Sequence, residues 1–363
     1  MKKNKNYVDL KDQPVPEGQH LLEVDDLKMY FHTEDGVVRA VDGVSYTLDR
    51  GETLGVVGES GSGKSVTAMT IMGLISMPPG KIEGGDVRYR GRSILEMTEE
   101  EMQHIRGNDI AMIFQDPMTS LNPVYKIGKQ VGEGLRLHRG YSKQEALKRA
   151  TELLDLVGIP EPEKRVNEYP HQFSGGMRQR VMIAMALACD PDILIADEPT
   201  TALDVTIQAQ IIELMQEMQE KNGNAIIMIT HDLGVVADMA DKIMVMYAGR
   251  PVEFGTAEEI FYESRHPYTW GLIRSIPEQA VEEKKPLTPI HGNPPSLMNL
   301  PEGCVFSPRC PYATDKCRKQ RPERVVTESG HYSACHYSGD LEFLKNAPET
   351  SRTRKDSKKG GEA

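Results

Sequence analysis

Short runs of consecutive apolar residues, each closed by a polar or glycine turn, recur along the first two-thirds of the chain. Residues 54–57, 193–196, 225–229 and 243–246 are apolar or glycine with no polar alternate. That pattern predicts strands covered on both faces. Between them, residues 144–157 place Leu147, Ala150, Leu153, Leu154 and Val157 at helical spacing, and residues 205–218 do the same with Val205, Ala209, Ile212, Met215 and Met218. Strands alternating with helices predict an α/β fold. Residues 1–20 are polar, with Pro14, Pro16 and Gly18, and read as a loose leader. The strand–helix rhythm holds over residues 21–265. Beyond it the prolines multiply (Pro277, Pro286, Pro289, Pro294, Pro295, Pro301), which predicts a separate C-terminal extension over 266–345. Residues 346–363, rich in Lys, Arg, Ser and Gly from Ser351, read as a disordered tail.

A length of 363 residues exceeds one average domain and suits two. No stretch approaches the roughly 18 consecutive apolar residues of a membrane helix. The opening Met-Lys-Lys-Asn-Lys-Asn is not followed by an apolar run, so it does not read as a secretory signal and an intracellular location is expected. A net charge of −11 argues against a dedicated nucleic-acid binder. It leaves nucleotide binding open, because that needs only local donors.

Such donors are present. Gly58-Glu59-Ser60-Gly61-Ser62-Gly63-Lys64-Ser65 matches the phosphate-binding loop G-x-x-x-x-G-K-[ST] in full, after a predicted strand and before a helix-capable run. Glycines let the backbone aim its N–H groups inward, and those donors with the next helix's N-terminus hold phosphates. Lys64 reaches the β- and γ-phosphates, and the Ser65 hydroxyl coordinates Mg²⁺. Phosphoryl transfer also needs an acidic site for metal and water. Asp197-Glu198, directly after the strand at 193–196, supplies it: Asp197 toward Mg²⁺ and Glu198 as general base on the attacking water. Ser174-Gly175-Gly176-Met177-Arg178-Gln179 adds a second anion-binding turn ahead of a helix.

In their order, the phosphate loop, Ser174-Gly175-Gly176, Asp197-Glu198, Ala202-Leu203-Asp204 and His231 resemble the ATP-binding cassette ATPases of ABC transporters. The resemblance covers roughly residues 21–265. It implies a P-loop NTPase cassette with a RecA-like core, an antiparallel β subdomain and an α-helical subdomain. It also implies two ATP molecules sandwiched between two cassettes, with Ser174, Gly175 and Gly176 binding the γ-phosphate in the partner's loop. Gln115, in Phe114-Gln115-Asp116-Pro117, matches the glutamine that contacts Mg²⁺ and the water and marks the region meeting the membrane subunits. Asp204 matches the aspartate that communicates across the dimer, and His231 the switch histidine on the γ-phosphate. Phe31 aligns with the aromatic residue stacking on adenine, with Tyr30 as the alternative. Met177 departs from the commonest signature, which has Gln there; Met cannot make the amide's hydrogen bonds, while Ser174 and the glycine N–H groups remain.

Longer strings resemble the oligopeptide/dipeptide importer ATPases: residues 114–123, residues 169–180, His266-Pro267-Tyr268, Gly292-Asn293-Pro294-Pro295, Gly303-Cys304 and Pro308-Arg309-Cys310-Pro311. This closer resemblance extends to about residue 337. It implies an ATPase subunit on the cytoplasmic face of the membrane, paired with a second, different ATPase as a heterodimer. Two transmembrane permease subunits and, indirectly, an external solute-binding protein complete the machine. Two other readings stay open: import of nickel or oligosaccharides, and a redox- or metal-sensing regulatory ATPase with a non-transport partner.

Cys304, Cys310, Cys317 and Cys335 are separated by five, six and seventeen residues. The spacing is not the compact C-x₂-C of zinc ribbons or bacterial ferredoxins, and by itself it leaves iron–sulfur, zinc, reduced and disulfide states open. Resemblance to the importer subfamily implies a [4Fe–4S] cluster, with zinc second. Cys189 reads as a small buried side chain.

Overall fold

The computed structural model describes residues 10–11, 13–200, 205–275 and 290–338. A four-stranded antiparallel sheet is formed by β1 (Leu22–Thr33), β2 (Gly36–Leu48), β4 (Gly80–Tyr89) and β5 (Arg92–Ser93), in the order β2-β1-β4-β5. An eight-stranded sheet holds β3 (Thr53–Val57), β6 (Ile110–Ile113), β7 (Ile193–Asp197), β8 (Ala225–Thr230), β9 (Lys242–Tyr247), β10 (Arg250–Thr256), β11 (Val325–Val326) and β12 (Tyr332–Ser333). Its order is β11-β12-β10-β9-β3-β8-β7-β6. The segment β9-β3-β8-β7-β6 is parallel, and the other pairings are antiparallel. The α/β expectation and the antiparallel subdomain are both met.

Alternation of side chains explains why the central strands are apolar throughout. Successive residues of a strand face opposite sides. Ile193 and Ile195 enter the core between the two sheets, whereas Leu194 and Ala196 enter a core built against helices. In β8, Ala225, Ile227 and Ile229 alternate in the same way with Ile226 and Met228. The first core also takes Leu22, Leu27, Val44 and Val87 from the antiparallel sheet and Ala68 and Ile71 from the helix Lys64–Ile71. The second is the helical subdomain, with the helices Ile127–His138, Lys143–Leu156 and Gly175–Leu187 closing over Ala111 and Ile113.

Two expectations need correcting. The extension after residue 265 is not separate. Its strand β12 pairs with β10 through Glu253↔Ser333 and Phe254↔Tyr332. Tyr268 and Phe306 pack with Tyr247 of β9 in a third core, ring centroids 4.6–5.3 Å apart. The leader is not loose where it is described. Leu10 is buried in the first core, and Lys11 Nζ donates to the carbonyls of Asn108 (3.1 Å), Cys189 (3.0 Å) and Asp190. Pro277, Pro286, Pro289 and the tail 346–363 lie outside the described residues. No helix among the described residues is long and apolar enough to cross a membrane.

One ion-paired knot joins the two sheets. Asp192, just before β7, accepts from Tyr89 Oη (2.6 Å), Arg90 Nη2 (2.6 Å) and Arg50 Nη2 (2.8 Å). The Arg90 side chain is 3% exposed and Asp192 6%. Burial alone would raise the Asp192 pKa, but the Tyr89 and Arg90 hydrogen bonds and the positive charge of Arg90 and Arg50 hold it below its ordinary value. Its contribution to stability is therefore complete above the ordinary carboxylate pKa and disappears as pH falls through the depressed folded value. Asp192→Asn, which leaves the Arg90 charge buried without its partner, should lose about 3–5 kcal/mol. Urea denaturation should register this as a lower midpoint at neutral pH, and the gap from wild type should close in acid. Equal midpoints at neutral pH would dismiss the knot as a stabilising element.

Candidate functional site at the strand ends

Strands β3, β8, β7 and β6 are neighbours and parallel, so their carboxyl ends share one edge of the sheet, where ligands of open α/β sheets bind. Register aligns the ends: Val57 faces Thr230, Ile229 faces Asp197, and Ala196 faces Ile113. Each strand then delivers a residue marked out in the sequence. The phosphate loop follows β3, Gln115 follows β6, Asp197 ends β7 with Glu198 just after it, and His231 follows β8.

The loop needs its glycines where the chain passes other backbone. Gly58 (φ +151°) and Gly63 (φ +103°) have no room for a side chain: a Cβ would come 2.2 Å from the Met246 carbonyl oxygen and 2.4 Å from that of Ala40. Ser62 and Lys64 are buried, while Ser60 and Gly61 are exposed at the tip. Lys64 Nζ donates to the carbonyls of Gly58 (2.7 Å) and Glu59 (3.1 Å). Burial lowers its pKa, and the carboxylates of Glu198, Asp197 and Glu59 oppose the shift.

Around this loop the acidic site assembles. Ser65 Oγ donates to Asp197 Oδ1 at 3.0 Å. Burial pushes the Asp197 carboxyl above its ordinary pKa and the Glu198 charge adds to this, with the Ser65 bond opposing. Asp197 is thus a buried oxygen donor short of positive charge, set beside a hydroxyl. Hard oxygen donors of this kind fit Mg²⁺, which is held by one or two carboxylates together with phosphates and water. Glu198 has φ +48°, in the left-handed region, while its N–H still donates to the Ile229 carbonyl at 2.8 Å. Such a backbone costs about 1–3 kcal/mol and persists where the surroundings hold it. It turns the carboxylate to meet Gln115 Nε2 at 2.9 Å and His231 Nδ1 at 3.4 Å.

Ser65 of the loop, Gln115, the adjacent pair Asp197 and Glu198, and His231 therefore converge on the loop's mouth. Other expected residues do not. Ser174 caps the helix Gly175–Leu187, its Oγ accepting from Met177 N at 3.3 Å, and no hydrogen bond among the described residues joins Ser174, Gly175 or Gly176 to the phosphate loop. Further along that helix, Gln179 Nε2 donates to the Pro199 carbonyl at 2.6 Å, which ties it to the turn after Glu198. Phe31 pairs with Val38 and Gly80 in the antiparallel sheet and is partly buried against the first core. Tyr30 gives its hydroxyl to Asp42 at 3.0 Å. Asp204 lies outside the described residues.

Two residues given no role by sequence reasoning also reach the loop. Tyr268 Oη accepts from Glu59 N at 2.9 Å, and Arg309 makes a two-pronged ion pair with the Glu59 carboxylate, at 2.5 and 2.9 Å. Both belong to strings that resemble the importer subfamily. A carboxylate inside an anion-binding loop was the signal that a cation must stand opposite it.

The four C-terminal cysteines line one cavity with His336 and Tyr337, and none is disulfide-bonded. Burial pushes the Cys304 thiol up to about 11 and those of Cys310 and Cys335 to about 12. Among the described residues no group of three or more Cys, His, Asp or Glu side chains is placed to hold a metal ion. The four thiols thus share one cavity, which His266 and His336 also line, without being placed to hold an ion.

A family model described as ABC transporter matches residues 41–201, and one described as oligopeptide/dipeptide transporter, C-terminal region, matches residues 252–317. The chain is 58% identical to the oligopeptide transport ATP-binding protein OppD of Bacillus subtilis, over 86% of this chain and 87% of that protein. It is 52% identical to the dipeptide transport ATP-binding protein DppD of Escherichia coli, over 88% and 97%. Among solved structures it resembles the dimeric ATP-binding cassette of a transporter bound to ADP and Pi after hydrolysis. That likeness has a TM-score of 0.60 at 29% identity and covers 65% of this chain and 98% of that one. With its phosphate loop, strand-end carboxylates and C-terminal segment all in place, the chain belongs to the ABC transporter family of ATP-binding proteins, in the branch that carries the oligopeptide/dipeptide transporter C-terminal region.

Proposed function

We propose that this chain is the ATP-hydrolysing subunit that powers import of oligopeptides or dipeptides through separate membrane permeases. The observation that carries the reading is the meeting of Ser65, Gln115, Asp197, Glu198 and His231 at the mouth of the phosphate loop. Identity with peptide-transport ATP-binding proteins over most of both chains supports peptides over nickel or oligosaccharides, and transport over a purely regulatory ATPase. The permeases place the chain at the cytoplasmic face of the membrane, with a solute-binding protein outside. The partner cassette is a second, different ATPase. The dimeric state of the solved cassette supports a sandwich in which Ser174, Gly175 and Gly176 act on the partner's nucleotide.

In this reading the loop's backbone N–H groups and Lys64 bind the β- and γ-phosphates. Ser65, Asp197 and Gln115 hold Mg²⁺, whose contribution when bound is to neutralise phosphate charge. Glu198 orients the attacking water and accepts its proton, held in place by Gln115. His231 contacts the γ-phosphate from the next strand. Phe31 stacks on adenine, and Asp204 reports across the dimer. Two cassettes are needed because each supplies half of the contacts to each nucleotide.

We read the four cysteines as the seat of a [4Fe–4S] cluster. Four thiols lining one cavity are donors that either an iron–sulfur cluster or zinc would use, and the resemblance to the importer subfamily favours the cluster.

Glu198→Gln should keep MgATP binding and lower phosphate release by more than about a hundredfold. The assay is steady-state hydrolysis beside equilibrium nucleotide binding, and turnover near wild type would remove Glu198 as the base. For the cysteines, anaerobically purified full-length chain should carry iron and acid-labile sulfide in equal amounts. A Cys310→Ser variant should lose both; an active wild-type chain free of iron would exclude the cluster.

A further inference from the structure

An acidic side chain in a phosphate cradle is an electrostatic problem. Glu59 is the second residue of the loop, and a free carboxylate there would repel a triphosphate held by its neighbours. The structure answers with a cation from 250 positions later in the chain. Arg309 Nη1 meets Glu59 Oε2 at 2.5 Å and Nη2 meets Oε1 at 2.9 Å, a fork-to-fork pair that fixes direction as well as charge. The Arg309 side chain is only 4% exposed, against 28% for Glu59.

The guanidinium is itself positioned by three groups. Its Nε donates to the His291 carbonyl at 3.0 Å and Nη2 to the Ile290 carbonyl at 3.3 Å, while Nη1 lies 3.3 Å from Tyr247 Oη. Arg309 N donates to the Phe306 carbonyl, and Phe306 is buried with Tyr247 and Tyr268. Tyr268, from the same core, accepts the Glu59 N–H. The C-terminal segment thus grips the loop at both the main chain and the side chain of one residue.

We propose that Arg309 is a positioning residue of the ATP site: it neutralises Glu59 and turns it away from the nucleotide, so that the loop meets the phosphates as a set of donors only. The proposal rests on the reading of residues 58–65 as the ATP cradle and adds a requirement for the C-terminal segment to that site. It predicts a purely electrostatic signature that loss of packing would not produce.

The test is equilibrium binding of MgATP to the full-length chain. Arg309→Met should weaken binding roughly tenfold at about 0.02 M salt, and the loss should shrink toward wild type at about 0.5 M, where an exposed charge is screened. Adding Glu59→Gln to Arg309→Met should restore most of the affinity, because no carboxylate is then left to repel phosphate. Glu59→Gln alone keeps every carbonyl contact of Arg309 and should tighten MgATP about threefold. It remains decisive if Arg309→Met does not fold. Unaltered affinity in Arg309→Met, a loss that Glu59→Gln does not rescue, or weaker binding in Glu59→Gln alone would each overturn the proposal. A wild-type chain that binds no MgATP would overturn the ATP-site reading beneath it.

Discussion

Strands β3, β8, β7 and β6 are apolar on both faces because alternate side chains enter different cores. That double burial fixes their order and register. A slip of one residue would drive every core side chain to the opposite face. Once register is fixed, the strand ends are level, and whatever follows each strand must gather at one edge. The site is a consequence of this constraint. Gln115, Glu198 and His231 meet because Ile113, Asp197 and Thr230 end neighbouring strands, and no long side chain has to search for its partner.

The electrostatics of that edge are opposed charges kept from collapsing on one another. Lys64 is buried with its ammonium on loop carbonyls, and Asp197 is buried with the Ser65 hydroxyl on its carboxylate. Burial pushes the two groups toward neutrality from opposite sides. An anion at Lys64 and a cation at Asp197 would relieve both, and a magnesium-bound polyphosphate brings these two charges together. The strained Glu198 backbone fits the proposed reading, in which the carboxylate that it turns toward Gln115 and His231 takes the proton of an attacking water.

Much of this was legible in the sequence, for physical reasons. Consecutive apolar residues such as Ile193 to Ala196 mark two-faced burial, and a glycine loop between strand and helix has few other uses. The antiparallel sheet was not placed strand by strand: register shifts at Val24/Leu27 and Met29/Tyr30 break the alternation that would have announced it. Strand β6, at the edge of the parallel run, was missed as well. The leader and the C-terminal segment misled because each is anchored by isolated apolar residues. Leu10 in one, and Tyr268, Val305 and Phe306 in the other, lie among polar and proline-rich neighbours without any period. Composition reported their surroundings, while the fold depends on the few exceptions. The role of Ser174, by contrast, cannot be seen in one chain, because the phosphate it is read as binding belongs to another.

The C-terminal segment then acquires a mechanical meaning. It adds β12 to the sheet that carries the phosphate loop and places Tyr268 against the loop's Glu59 N–H and Arg309 against its carboxylate. Arg309 is the immediate neighbour of Cys310, whose thiol shares the sulfur-lined cavity, and both N–H groups are drawn to the Phe306 carbonyl. A segment rich in proline has little secondary structure with which to resist deformation. The sulfur-lined cavity and the phosphate loop therefore meet in adjacent residues of one segment, Cys310 lining the first and Arg309 pairing with Glu59 of the second.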